Sequence, residues 1–111
     1  MIRIKYWPET LDILVEGHAG SAEKGEDLIC AAASALANTL EAVFDVQEDM
    51  LGCAVRKKEI PSFHAWIEPE TQLLAQAFVV METIATGYRA LAEQYPDYVT
   101  FEVITEEEEE K

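Results

Sequence analysis

Between Gly17 and Asp27 the hydrophobic period of the chain changes from two to about 3.6, and no other feature constrains the fold as much. Before the change, Ile2, Ile4 and Tyr6 alternate with Arg3, Lys5 and Trp7, the pattern of a half-buried strand. Pro8-Glu9 breaks the run, because proline fixes one backbone dihedral and donates no ladder hydrogen bond. Leu11, Ile13 and Val15 then form a second apolar row opposite Asp12 and Glu16, which predicts a hairpin. After the change, Ile29, Ala33, Leu36, Leu40 and Val43 recur at intervals of three and four, so residues 28–44 read as a core-facing helix. Asp27 is the expected N-cap, its carboxylate accepting from a backbone N–H of the first turn. Gly17, Gly20 and Gly25 punctuate the loop between strand and helix.

The second half repeats the scheme. Glu48 to Gly52 is a polar break, and 53–58 with 62–67 read as a second hairpin turning at Ile60-Pro61. Pro69 is expected at the first position of a helix. That helix carries Leu74, Ala77, Met81, Ile84, Tyr88, Leu91 and Tyr95 on one face and stops at Pro96. Tyr98 to Ile104 alternates as a last strand. The order β-β-α-β-β-α-β, without a parallel βαβ series, predicts an α+β two-layer sandwich: a mostly antiparallel sheet with two helices on one face. The expectation is one domain over residues 1–105 and a disordered acidic tail over 106–111. The other sheet face would carry Arg3, Lys5, Trp7, Leu14, Trp66 and, in part, Tyr98, a mixed surface suited to dimerisation.

Charge narrows the partners. The formal net charge is −14, of which Glu106–Glu110 with Lys111 supplies −4, leaving −10 on the rest. Nucleic acid is disfavoured because its phosphates would be repelled, and a basic partner is favoured. Two cysteines far apart make no disulfide framework, which suits a reducing cytoplasm. The N-terminus shows no signal-peptide pattern, and no stretch reads as the roughly 18 apolar residues of a membrane span, so no membrane partner is expected.

His18 and Cys30 are the pair with nucleophilic chemistry within reach. An ordinary thiol is only a few per cent thiolate at neutral pH. A helix N-terminus and a neighbouring imidazole would raise that fraction; Glu26 and Asp27 oppose it. Backbone N–H groups at the helix start would suit an oxyanion. Against this stands the ordinary role of cysteine as a small buried hydrophobe and of His18 as a strand-end residue bonded to backbone. Ser34, one turn after Cys30, either touches such a site or bonds the preceding turn. A zinc set of His18, Cys30, Cys53 and His64 lacks the closely spaced ligand pairs of structural zinc, so no metal and no cofactor are expected.

The stretch Gly17-His18-Ala19, then Gly25, then Asp27-Leu28-Ile29-Cys30-Ala31-Ala32 and Ser34-Ala35-Leu36 resembles the ribosomal-processing cysteine protease family, Prp. The resemblance implies a homodimeric endopeptidase that removes an N-terminal extension from a large-subunit ribosomal protein. It makes Cys30 the nucleophile and His18 the general base, with Asp27 and Ser34 in or near the site as capping or orienting groups. Its basic substrate would suit the acidic chain. Two departures, the alanine run before Ser34 and the glutamate-rich tail, leave a phage-type or paralogous protease with another protein substrate as an alternative. A non-catalytic dimeric adaptor that binds a peptide in the same cleft is a second one.

Overall fold

A computed structural model describes residues 1–17, 24–47, 53–59 and 62–105, with side chains described throughout these except at 24–27 and 53–59. Five strands form one sheet: β1 (Ile2–Trp7), β2 (Asp12–Gly17), β3 (Cys53–Glu59), β4 (Ser62–Glu68) and β5 (Val99–Val103). Their order across the sheet is β3-β4-β2-β1-β5. Three of the four pairings are antiparallel, and β5 joins β1 in parallel. Two helices, α1 (Lys24–Val46) and α2 (Leu74–Gln94), cover one face.

The pleat decides which residues go under the helices. Ile4 pairs with Val15, Tyr6 with Ile13, Ile13 with Ala65 and Val15 with Phe63, and all of them are buried. The helices answer with two stripes: Ile29, Ala33, Ala37, Leu40 and Phe44 on α1, and Ala77, Met81, Ile84, Ala85, Tyr88 and Leu91 on α2. Each large aliphatic side chain so buried is worth about 1.5–3 kcal/mol, so this single layer is the main source of stability. The expected two-layer α+β sandwich is what the chain forms.

Several local expectations are corrected. Helix α1 begins at Lys24, so Gly25 is its second residue and Asp27 its fourth, not a loop glycine and an N-cap. The helix also runs on to Val46, past the predicted Phe44. Pro69 lies ahead of a 3₁₀ turn, Thr71–Leu73, that leads into α2 at Leu74, so proline opens no helix here. Leu74 and Tyr95, read as core positions, are exposed. Leu11 is buried as expected, but it belongs to a turn and holds a left-handed φ of 54°. Tyr98 packs against the core from the turn before β5 instead of joining the open sheet face. Finally, Leu28–Val46 is 19 residues long with mean hydropathy 1.4, so by length and composition it would pass for a membrane-crossing helix, contrary to the sequence reading. Its buried stripe lies against the sheet and α2, the arrangement of a core helix.

Candidate active site

Strand β2 hands the chain to the predicted site at Gly17, and the backbone there requires glycine. Its φ is +90°, and a Cβ would lie 2.3 Å from the carbonyl oxygen of Met1, whose neighbour Ile2 pairs with Gly17. The connection is thereby fixed up to the residue before His18. His18 and Gly20 themselves lie outside the described residues, as does most of the predicted loop.

Cys30 is the seventh residue of α1, in its second turn and not its first as expected. It is partly buried and packs against the core beside Ile29 and Ala33. Its own backbone N–H falls within the helical ladder, because only the first four N–H groups of a helix lack an internal acceptor. The N–H groups without an internal acceptor therefore lie ahead of Cys30, at the start of the helix. Ser34 follows Cys30 by four residues and is exposed, so the two share one side of the helix, with the serine further out. The side chain of Asp27 is outside the description.

Helix α1 is held in rotation and height by α2. The Tyr88 hydroxyl donates to the Ala33 carbonyl at 3.0 Å within the core. Burial pushes that phenol well above the usual tyrosine range, because a phenolate there would be unsolvated. At the adjacent Gly87 a Cβ would come within 2.7 Å of Leu36 Cδ2, so the Leu36 side chain of α1 packs directly onto the bare α2 backbone at that point. Both contacts fall within two turns after Cys30. A second tie joins sheet to helix: the Tyr6 hydroxyl donates to Glu82 Oε2 at 2.6 Å. Burial, then the Glu82 carboxylate, pushes the Tyr6 phenol upward as well. The sequence marked Tyr88 only as a core-facing position. The signal it did carry is that a tyrosine on a buried stripe needs an acceptor.

Of the zinc set weighed above, the fold keeps His64 and Cys30 apart, while His18 and the Cys53 side chain lie outside the description. Phe63 and Ala65 face the helices, so His64 between them faces away from α1 and Cys30. There its Nε2 lies 2.8 Å from Asp12 Oδ1 and its ring leans on Trp66, with centroids 4.6 Å apart. Among the described residues no group of three or more His, Cys, Asp or Glu is placed to hold a metal ion.

The comparisons agree with this architecture. The family model for Cysteine protease Prp matches residues 1–100. The chain superposes on SMU.848 from Streptococcus mutans with a TM-score of 0.69 at 23% identity, covering 95% of this chain and 93% of that one. The essential ribosomal processing protease Prp from S. aureus matches in two structures, each with a TM-score of 0.69, 94% of this chain and 100% of that one covered. One holds a covalently linked product peptide (21% identity) and the other a substrate peptide (18%). No curated protein matches the chain. These identities show a shared fold, while the family model, which spans 100 of the 111 residues and takes in both Gly17 and Cys30, shows more: the chain belongs to the Prp family of cysteine proteases.

Proposed function

We propose that this protein is a cysteine endopeptidase that removes a short N-terminal extension from a large-subunit ribosomal protein, with Cys30 as nucleophile and His18 as general base. The observation that carries the reading is the family match over residues 1–100, with a cysteine on the first helix directly after the glycine-ended strand. The S. aureus relative is called a ribosomal processing protease and was captured with a substrate and a product peptide.

The chemistry is acyl transfer. The Cys30 sulfur forms a bond to the scissile carbonyl carbon while its proton passes to His18. The tetrahedral intermediate collapses, His18 returns the proton to the departing amine, and an acyl thioester remains. Water, deprotonated by His18, then attacks the thioester and releases the carboxylate and the thiol. Ser34, exposed one turn after Cys30, is assigned to substrate contact, and Asp27 to orienting the site, by the family resemblance. The protein works as a homodimer, which the exposed Leu74, Phe78 and Val79 at the start of α2 support, and its two widely separated cysteines suit the cytoplasm. The acidic chain suits the basic ribosomal substrate.

The test is incubation of the purified protein with a ribosomal protein bearing its N-terminal extension, read by mass spectrometry. The expected product is the shortened protein, with none formed by Cys30→Ala and almost none by His18→Ala. Cys30→Ala should keep its fold and still bind the uncleaved peptide, since alanine suits both the helix and its small surroundings. Full cleavage by Cys30→Ala would refute the assignment. Size-exclusion chromatography with light scattering reports the dimer separately.

A further inference from the structure

The two residues assigned to the chemistry belong to different elements. His18 follows β2, whose ladder with β1 runs unbroken from Trp7–Asp12 to Ile2–Gly17. Cys30 belongs to α1. Between sheet and helices lies the apolar layer, and apolar contact is non-directional: it holds two elements together without fixing how far one slides along the other. A hydrogen bond does fix that relation, because it weakens steeply once its distance and angle leave a narrow range.

Two tyrosine hydroxyls place such bonds inside the layer, and both involve α2. Tyr6 of β1 is buried, and its hydroxyl donates to Glu82 Oε2 at 2.6 Å, a short contact assisted by the carboxylate charge. Tyr88 of α2 is fully buried, and its hydroxyl donates to the Ala33 carbonyl of α1 at 3.0 Å. Glu82 and Tyr88 are six residues apart, about 9 Å along α2. Ala33 follows Cys30 by three residues, about one turn. A carbonyl in mid-helix already accepts from the N–H four residues on, so the α1 ladder does not need the phenol. What the phenol adds is a fixed relation of α1 to α2. The polar path therefore runs from β1 through α2 to α1, from the partner of the strand that leads to His18 to the turn after Cys30.

We infer that Tyr88 and Tyr6 are positioning residues for the Cys30–His18 pair, acting in series through α2. The proposal rests on the protease reading and adds to it the groups that set the spacing of nucleophile and base. Neither tyrosine is catalytic; each acts through the elements it joins. With either hydroxyl gone, α2 no longer refers α1 to the sheet, and the sulfur shifts relative to the imidazole. A series arrangement has a signature: once one tie is lost, losing the other changes catalysis little. Stability behaves otherwise, since the two bonds share no partner and their contributions to folding add.

Phenylalanine removes each hydroxyl and keeps the ring, so the test compares Tyr88→Phe, Tyr6→Phe and the double variant with the parent protein. Ile84→Val is the control: Ile84 is buried on α2 between the two ties, and trimming it loosens packing without removing a polar bond. Every chain carries Cys53→Ala, so that a thiol reagent reports Cys30. The measurements are the urea midpoint, kcat and KM on a ribosomal protein bearing its extension, and the rate of Cys30 alkylation by iodoacetamide without substrate. Each phenylalanine variant should lose about tenfold in kcat with KM within about twofold, since a misplacement of about 1 Å can cost about 100-fold. Alkylation should slow in step, toward the rate of His18→Ala. The double variant should fall no more than about twofold below the worse single variant in kcat, while its urea midpoint drops by the sum of the two shifts. Ile84→Val should move the midpoint alone. A Tyr88→Phe protein within about twofold of the parent in kcat and alkylation would overturn the proposal. So would losses that multiply in the double variant, or a kcat of Ile84→Val that falls along with its stability. A parent protein that cleaves no substrate, or whose Cys30 is alkylated as fast without His18, would overturn the protease reading and the proposal with it.

Discussion

Replacing Gly17 by alanine probes the junction that aims the chain at His18, and its cost separates into two parts. The first is conformational. A residue with a Cβ at φ +90° gives up about 1–2 kcal/mol relative to an allowed dihedral. The second is steric: the new Cβ would stand 2.3 Å from the Met1 carbonyl oxygen, which is backbone and moves only if the start of β1 moves. Forced overlap of this kind costs about 1–3 kcal/mol. The sum, on the order of 3 kcal/mol, is a large share of the about 5–15 kcal/mol that holds a domain together. Urea titration followed by circular dichroism gives the total. A Gly17→Asn variant tolerates the positive φ and keeps only the steric part. Gly17→Ala in a chain that starts at Ile2 loses the overlap and keeps only the dihedral part. Cleavage, assayed at a temperature where Gly17→Ala remains folded, should fall if the residue after position 17 is the general base, as proposed. A Gly17→Ala protein within about 0.5 kcal/mol of wild type, or no recovery on removing Met1, would refute the reasoning, since either outcome lies outside the error of these terms.

Alkaline pH should destabilise the fold through Tyr88 and Tyr6. Both phenols are raised by burial, so the unfolded chain releases their protons first; the stability they confer is complete below about pH 10 and falls above it, by up to about 1.4 kcal/mol per pH unit for each. Urea melts between pH 9 and 11 should show that slope about halved in Tyr88→Phe, which at neutral pH loses about 1 kcal/mol for the hydrogen bond to Ala33. The rate of encounter with a basic substrate should drop as ionic strength rises, given the −10 carried by residues 1–105, and a flat stopped-flow on-rate would count against steering. Cys53→Ala should lose about 1 kcal/mol in a thermal melt and retain most cleavage activity, because the proposed chemistry uses only the Cys30 sulfur.

How much of this was legible in the sequence follows from where physical constraints act. Alternation at Ile2–Trp7 and Ser62–Glu68 exposed the sheet, because a pleat with one covered face admits only one assignment of faces. The α2 stripe was read at Ala77, Met81, Ile84, Tyr88 and Leu91 for the same reason. What the sequence concealed was relational. The parallel docking of β5 on β1, the close approach at Gly87 and the hydroxyl link from Tyr88 to Ala33 each join segments more than 50 residues apart, and no local period encodes them. Gly17 and Cys30 were singled out, but the positive φ of the one and the helical turn of the other depend on a loop that composition describes poorly. The start of α1 was misplaced because glycine is a weak helix former, so Gly25 read as loop; tertiary packing of the long apolar stripe overrides that preference.

The corrected start of α1 changes what Asp27 can do, and that difference can be measured. As an N-cap its carboxylate would satisfy a backbone donor, and its loss would cost up to about 2 kcal/mol. As the fourth residue of a helix beginning at Lys24 it gains only the attraction of an acid for the positive helix end, typically about 0.3–1 kcal/mol. Asp27→Ala should therefore shift the urea midpoint little, and Asp27→Asn, which removes charge but little volume, should shift it no more. The family resemblance nevertheless implies a site role for Asp27, three residues before the proposed nucleophile Cys30 and so about one turn away. If it orients His18 or the substrate, both variants should lose kcat by at least about tenfold while their stability stays within about 1 kcal/mol of wild type. A loss near 2 kcal/mol with activity intact would restore the capping role and place the helix start after Asp27. Parallel losses in Asp27→Ala, rescued in stability but not in kcat by Asp27→Asn, would still assign the carboxylate to the site.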